Sequence, residues 1–365
     1  MLMMNRIARG LSILCLAASL VSAAREAAAD CVGDIQTLTL STGETVGVCT
    51  PYRLPFEFCP TCPESFVKIV FDPGDPNTIY LPSSPNGLFK SVDGGLNWSA
   101  MIEGLSDTGV RALLIDPVAP STLYLGLQSG TLFSSFDAGL SWIHPEPKFG
   151  QIMALAVDAT SGPLASTLYV ASDGGGIFEK HGDQPCVPMN DGLTNFRART
   201  IAVNPLADTR DPRLYAGIAD AGIWGYNAAI TPPQWMPMNV GLDSLRVSSL
   251  IATRNTAGAL LLLAGTEDRG VYASGDGGRS WHVSSRGLND RSISVLAADP
   301  PSVGRNLYAG TRSGEVYRSS DLGLSWVQLN PSFTSKGAVV SITADPVAAQ
   351  TLYVGAVGGI FEIMP

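Results

Sequence analysis

One unit of about 45 residues recurs seven times, and that period constrains the fold more than any single motif does. The tyrosines of "TIYLP", "TLYLG", "TLYVA", "RLYAG", "NLYAG" and "TLYVG" are Tyr80, Tyr124, Tyr169, Tyr215, Tyr308 and Tyr353. Leu263 of "LLLAG" fills the gap after Tyr215, so successive spacings are 44, 45, 46, 48, 45 and 45 residues. A unit this short cannot bury its own apolar face and has to stack against its neighbours.

Each unit carries the same internal order. An apolar run such as "VRALLIDP" or "VSITADP" ends at or near Asp-Pro, and the tyrosine run follows. A glycine-containing turn then leads to "GTLFSS", "RGVYAS" or "GEVYRS". Next come an Asp-Gly turn and a run opened by Trp. Alternating apolar residues, β-branched and aromatic side chains, and Gly/Pro/Asp punctuation specify strands and turns with little helix. Four strands per unit and seven units predict an all-β chain: a seven-bladed β-propeller with four-stranded antiparallel blades over residues 67–365. The last unit holds three strands and stops at "GIFEIMP". An exposed sheet edge invites pairing, so an N-terminal strand is expected to complete the last blade. Residues 30–66 offer "IQTLTLST" and "ETVGVCTPY" for that role.

The phrase Ser-x-Asp-x-Gly-x-x-Trp stands in phase with this repeat four times. Its members are Ser91, Asp93, Gly95 and Trp98; Ser135, Asp137, Gly139 and Trp142; Ser274, Asp276, Gly278 and Trp281; and Ser319, Asp321, Gly323 and Trp326. Each carboxylate can accept hydrogen bonds from backbone N–H groups of its own turn. The glycine suits a positive φ, and the indole can wedge between neighbouring blades. Four equivalent acids on a radial array cannot converge on one substrate, so the phrase is expected to be a structural fastening. Counting six residues back from the "GL" that follows each box places Cys186 at the Trp position of the third unit.

The phrase resembles the Asp-box of BNR-repeat propellers, a group that includes sialidases, xyloglucanases, sortilin-type receptors and photosystem II assembly factors. The resemblance spans roughly 300 residues and implies the propeller fold without choosing among these functions. Sialidases carry a Tyr-Arg-Ile-Pro phrase, and Tyr52–Phe56, "YRLPF", resembles it, but here it precedes the first repeat, and seven units differ from a sialidase's six. Xyloglucanase-like enzymes face two propellers across a cleft, whereas this chain has repeats for one.

Residues 1–29 have a basic start, an apolar run from Leu11 to Ala23 and small residues after it, the pattern of a secretory signal peptide. Cleavage is expected after Ala23 or Ala29, and the run is too short to span a bilayer. Cys15 follows Leu14, where a lipoprotein site would want a small residue. Export to the periplasm or the medium follows. Past residue 29 the chain has 20 Lys and Arg against 31 Asp and Glu, a net charge of −11 that disfavours nucleic acid and anionic membranes. Cys31, Cys49, Cys59 and Cys62 crowd into residues 30–66, where two disulfides would staple a segment with little core of its own; three connectivities are open. "CPTC" precedes a strand, whereas a redox motif wants a helix N-terminus.

Strand order puts the boxes and Asp-Pro turns on one face. The second-to-third-strand turns and the connections after "GL" lie on the other, the open face. Asp107, Asp243 and Asp290 gather there, as do Arg111, Arg199, Arg246 and Arg291 near the starts of the innermost strands. Asp173, Asp220, Glu267, Asp268, Arg269 and Arg312 come from the turns. The arginines suit the carboxylates of a peptide or protein partner. Resemblance to photosystem II assembly factors implies an arginine patch of this kind. An alternative is cleavage of extracellular polysaccharide, for which Asp173, Asp220, Asp268 and Asp290 are the candidate acids; a pair must stand roughly 5–9 Å apart. His144, His181 and His282 lack metal-ligand spacing. No phosphate loop opens a helix and no nucleophile elbow fits this fold, so no metal or cofactor is expected. "NWS" at Asn97 is formally a glycosylation acceptor, but it lies within a box. These features favour a monomeric, non-catalytic binding scaffold for a protein or peptide, with polysaccharide as the alternative ligand.

Overall fold

The computed structural model describes the backbone of residues 35–39 and 45–49. From 69 to 363 it describes all residues but 85, 144–147, 160–165, 183, 207–210, 301–303, 330–336, 348–350 and 357–358. Among the described residues there is no helix. Seven antiparallel sheets follow one another along the chain, each built from consecutive strands, and the chain is a seven-bladed β-propeller. The first blade begins at Val70–Phe71 and the last ends at Gly359–Ile363. The fifth is typical: Val247–Arg254, Leu260–Thr266, Gly270–Ser274 and His282–Val283, in that order across the sheet. First strands of successive blades adjoin one another around the axis, from Val110–Ile115 of the second blade to Val339–Ala344 of the seventh.

Second strands form the driest layer. Leu123–Leu127, Leu214–Ile218, Leu260–Thr266 and Leu307–Thr311 are buried at every residue. Sheets covered on both faces need continuous apolar runs, which is why "TLYLG"-type phrases dominate the repeat. The glycine in each phrase marks where the next blade presses in. A Cβ on Gly265 would lie 2.6 Å from Ile293 Cγ2, and one on Gly310 would lie 2.5 Å from Val339 Cγ1.

The ring closes between the seventh and first blades. Phe71 and Tyr353 meet in a tilted ring contact with centroids 5.6 Å apart, beside Ile69, Ile79 and Leu81. Thr343 Oγ1 donates to the carbonyl of Ile69 at 2.7 Å. At the last blade's edge the described residues show less than the whole closure segment, since residues 50–68 lie outside them. Ile35–Thr39 pairs with Thr45–Cys49 as an antiparallel hairpin, and among the described residues Gly359–Ile363 has one neighbour, Leu352–Ala356. The two N-terminal runs are five residues apart, so pairing with each other costs far less loop entropy than reaching the far end of the chain. Among the described residues the second blade has three strands and the bridge Ser134–Ile143 at its fourth position. The N-terminal cysteine pairings, the leader and Tyr52–Phe56 lie outside the residues described in full.

Candidate functional site

The four boxes are fastenings closed within their own turns. Ser91, Ser135, Ser274 and Ser319 each donate a hydroxyl to the box aspartate at 2.7–2.8 Å. The same oxygens accept the N–H of Gly95, Gly139, Gly278 and Gly323 at 2.8–2.9 Å. Those glycines hold φ between 83° and 90°, a region that L side chains avoid. Each aspartate also accepts a backbone N–H four residues on, from Asn97, Ser141, Ser280 or Ser325. No box carboxylate points at a shared centre, so the boxes carry no common reaction site.

Indole groups tie neighbouring blades together. Trp142, Trp235, Trp281 and Trp326 donate Nε1–H to the carbonyls of Met101, Met189, Met238 and Ser284 of the preceding blade. Each acceptor stands three residues past the preceding blade's own Trp position. Met189 obeys this rule counted from Cys186, which puts Cys186 at the Trp position, half-buried against the core cluster that includes Phe149 and Ile152. The rule was invisible in sequence because donor and acceptor are 41–46 residues apart.

On the open face, backbone register decides where each arginine stands. In six blades the innermost strand leaves one residue near its start out of the ladder: Arg111, Met153, Arg199, Ser248, Ser294 and Val340. Such bulges re-aim a side chain. The Ser248 hydroxyl lies 2.6 Å from the carbonyl of Ile293 in the next blade and 3.0 Å from that of Gly265 in its own, and Ser294 stands likewise to Val339 and Gly310, so one shared proton staples each blade to the next. Arg111 and Arg199 occupy this bulge ring. Arg246 precedes its strand by one residue and Arg291 by two, so the arginines grouped by sequence fall into three layers.

The loop layer is rigid and bears both apolar and basic groups. The carbonyls of Phe196, Leu245 and Arg291 accept N–H bonds from Gly176, Gly222 and Gly270 of the preceding blade at 2.8–3.1 Å. Phe196 is 48% exposed and Leu245 41%. Arg197, absent from the sequence-derived set, lies 3.0 Å from Asp173 and 3.7 Å from Asp220, and Arg199 also reaches Asp173. Glu267 takes Arg246 and Arg312, each at 2.6 Å. Arg269 and Arg291 differ: both are exposed, and neither makes an ion pair or a side-chain hydrogen bond among the described residues. They adjoin, since Gly270 N donates to Arg291 O and a Cβ on Gly270 would lie 3.7 Å from Arg291 Cγ.

The candidate acids divide. Asp173 and Asp220 share Arg197. Asp268 accepts the hydroxyl of Ser244 at 2.6 Å, and Asp290 that of Ser313 at 2.6 Å. Burial pushes the Asp290 carboxyl up, but the Ser313 hydroxyl and the Ser292 N–H outweigh it and hold it below the usual carboxylate range. A general acid needs the opposite shift. Among the described residues no cluster of His, Cys, Asp and Glu could hold a metal ion. Among the described residues no helix is long and apolar enough to cross a membrane. Between the sixth and seventh blades an open depression of about 340 Å³ is lined by Ser294, Arg312, Ala338, Val339 and Val340.

No protein-family model matches the chain, and no curated protein sequence does. Solved structures match its fold. A structure of YCF48 bound to D1 peptide is 14% identical with a TM-score of 0.59, covering 83% of this chain and 94% of its own. A crystal structure of the computationally designed Ika8 protein is 12% identical with a TM-score of 0.54, covering 79% of this chain and 81% of that one. At these identities the likeness is one of fold.

Proposed function

We propose that this chain is an exported, non-catalytic propeller that binds a peptide or protein segment on its open face. One observation carries this reading: the rim is pinned by backbone hydrogen bonds, yet it leaves apolar Phe196 and Leu245 exposed beside the exposed Arg269 and Arg291. An exposed, partly apolar surface that also presents cations suits recognition more than it suits stability. That YCF48 has been captured with D1 peptide supports a peptide as the class of ligand. The four in-phase boxes support kinship with Asp-box propellers, photosystem II assembly factors among them. The pattern of residues 1–29 supports export to the periplasm or medium.

The test is a peptide array probed with the purified protein and with two single variants. Leu245→Glu alters the open face and Leu324→Glu alters an exposed box tip on the other. The first is expected to weaken capture at least tenfold and the second to leave it unchanged. An array that captures nothing, or a loss seen only with Leu324→Glu, would overturn the proposal.

A further inference from the structure

We infer that the box face of the first two blades docks a segment of another protein that carries basic and apolar side chains together. This surface lies opposite the open face, and its test is independent of that reading. The box hydrogen bonds give no task to the side chains at two tip positions, the residue before the aspartate and the residue after the glycine. In the third box these are Gly275 and Arg279, and in the fourth Ser320 and Leu324. In the first two boxes all four are apolar and lie in water. Val92 and Leu140 are 66% and 65% exposed, and Leu96 and Phe136 are exposed as well. Exposed Val118 joins them from the second blade's Asp-Pro turn.

Contacts along and across the blade boundary bring these tips onto one surface. The Gly94 N–H donates to Asn77 O and the Ala138 N–H to Ser121 O, so each box lies against its own Asp-Pro turn. A Cβ on Gly74 would lie 3.8 Å from Pro120 Cγ, which sets the two turns side by side. Lys90 Nζ and the Tyr80 hydroxyl both donate to the Ala138 carbonyl at 3.2 Å, so the second box leans on the first blade.

The charge around the apolar tips is one-sided. These two turns and boxes carry Asp72, Asp75, Asp93, Asp116 and Asp137 against a single cation, the half-buried Lys90. Asp116 is buried and spends its carboxylate on the Val118 and Ala119 N–H groups. Burial pushes the Asp93 carboxyl up, but bonds from Asn97 and Ser91 outweigh it and hold it low. Bonds from Ser141 and Ser135 lower that of Asp137 to about 2. Apolar tips among lasting negative charges call for a partner that brings cations with its apolar groups. A second copy of this chain, at a net −11 past residue 29, would set like charge against like. The chain's own residues 30–66 carry Asp30, Asp34, Glu44, Glu57 and Glu64 against Arg53, so they do not complement this face either.

The probe is fluorescein-labelled Lys-Leu-Lys-Phe-Lys-Leu, with one counterpart carrying Gln for each Lys and another carrying Ser for each Leu and Phe. Fluorescence anisotropy is expected to give the first peptide at least tenfold tighter binding than either counterpart, weakening as salt rises. Phe136→Ser with Leu140→Ser should lower its affinity at least tenfold, and both side chains are exposed, so the melting temperature should not fall. Asp72→Asn with Asp75→Asn should lower it at least threefold, since Asn keeps an acceptor for the turn's N–H groups. Leu324→Ser on the same face and Leu245→Glu on the open face should change nothing. Equal binding of the three peptides, no binding by any of them, or an affinity that survives either double substitution would overturn the inference. Loss with Leu245→Glu alone would sink the box-face site and leave the open-face reading standing. Co-sedimentation with phosphatidylcholine vesicles, or a dimer, that disappears with Phe136→Ser and Leu140→Ser while the peptides bind equally would overturn it in favour of a membrane surface or a second copy.

Discussion

Asp137 and Asp276 show how completely a short phrase can specify its own chemistry. The Ser141 hydroxyl and N–H, then the Ser135 hydroxyl, draw the Asp137 carboxyl down to about 2. At Asp276 burial pushes upward, but the Ser280 and Ser274 bonds outweigh it, and this carboxyl also falls to about 2. An unfolded aspartate titrates near ~3.9. The unfolded chain thus takes up protons first, so the stabilisation is complete above about pH 4 and is lost as pH falls toward about 2. Asp276→Asn is expected to lower the urea midpoint at neutral pH and to flatten its decline between about pH 4 and 2. An unchanged slope across that window would contradict the assigned hydrogen bonds. The aspartate and glycine roles were legible in sequence because every partner lies within four residues, whereas the serine hydroxyl that links them shows only in the structure. Arg197 was not legible, because its importance comes from two carboxylates on different blades.

At the scale of the blade, the indole-to-carbonyl bond is the connection that repeats. Trp142, Trp235, Trp281 and Trp326 are 8%, 1%, 4% and 3% exposed, and each reaches the preceding blade. Trp98 is half-buried and donates to Gly95 in its own turn at 3.0 Å. Identical boxes therefore have unequal mechanical value. Trp281→Ala is expected to cost ~3–5 kcal/mol, as large buried aromatics do. Trp98→Ala should cost under about 2 kcal/mol, since less apolar area leaves water there. Urea unfolding of the two variants measures the difference, and equal losses would contradict the cross-blade role. Sequence periodicity placed the tryptophans and located Cys186 in their series. It could not rank them, because the acceptor belongs to another unit. Both N-terminal runs are strands as expected, and their pairing with each other is a contact between neighbours along the chain.

A closed ring has no free end from which repeats can melt one by one, unlike an open solenoid. Tyr353, 2% exposed and in contact with Phe71, sits at the junction where the last blade meets the first. Tyr353→Ala is expected to lower stability by on the order of 3 kcal/mol while leaving a single unfolding transition. Two separated transitions by fluorescence and circular dichroism would mean that the junction does not couple the blades. By itself the sequence determined the all-β class, the seven units, the strand order within each and the box hydrogen bonds. These depend on spacing and on partners close along the chain, so a pattern of residues suffices to define them. Tertiary structure alone decided which arginines are answered by acids, which indoles reach across a blade boundary and where apolar side chains stay exposed. Each of those depends on a bulge, a loop pinned by the neighbouring blade, or a partner some 20 to 45 residues away. Distances of that kind are set only when the ring assembles.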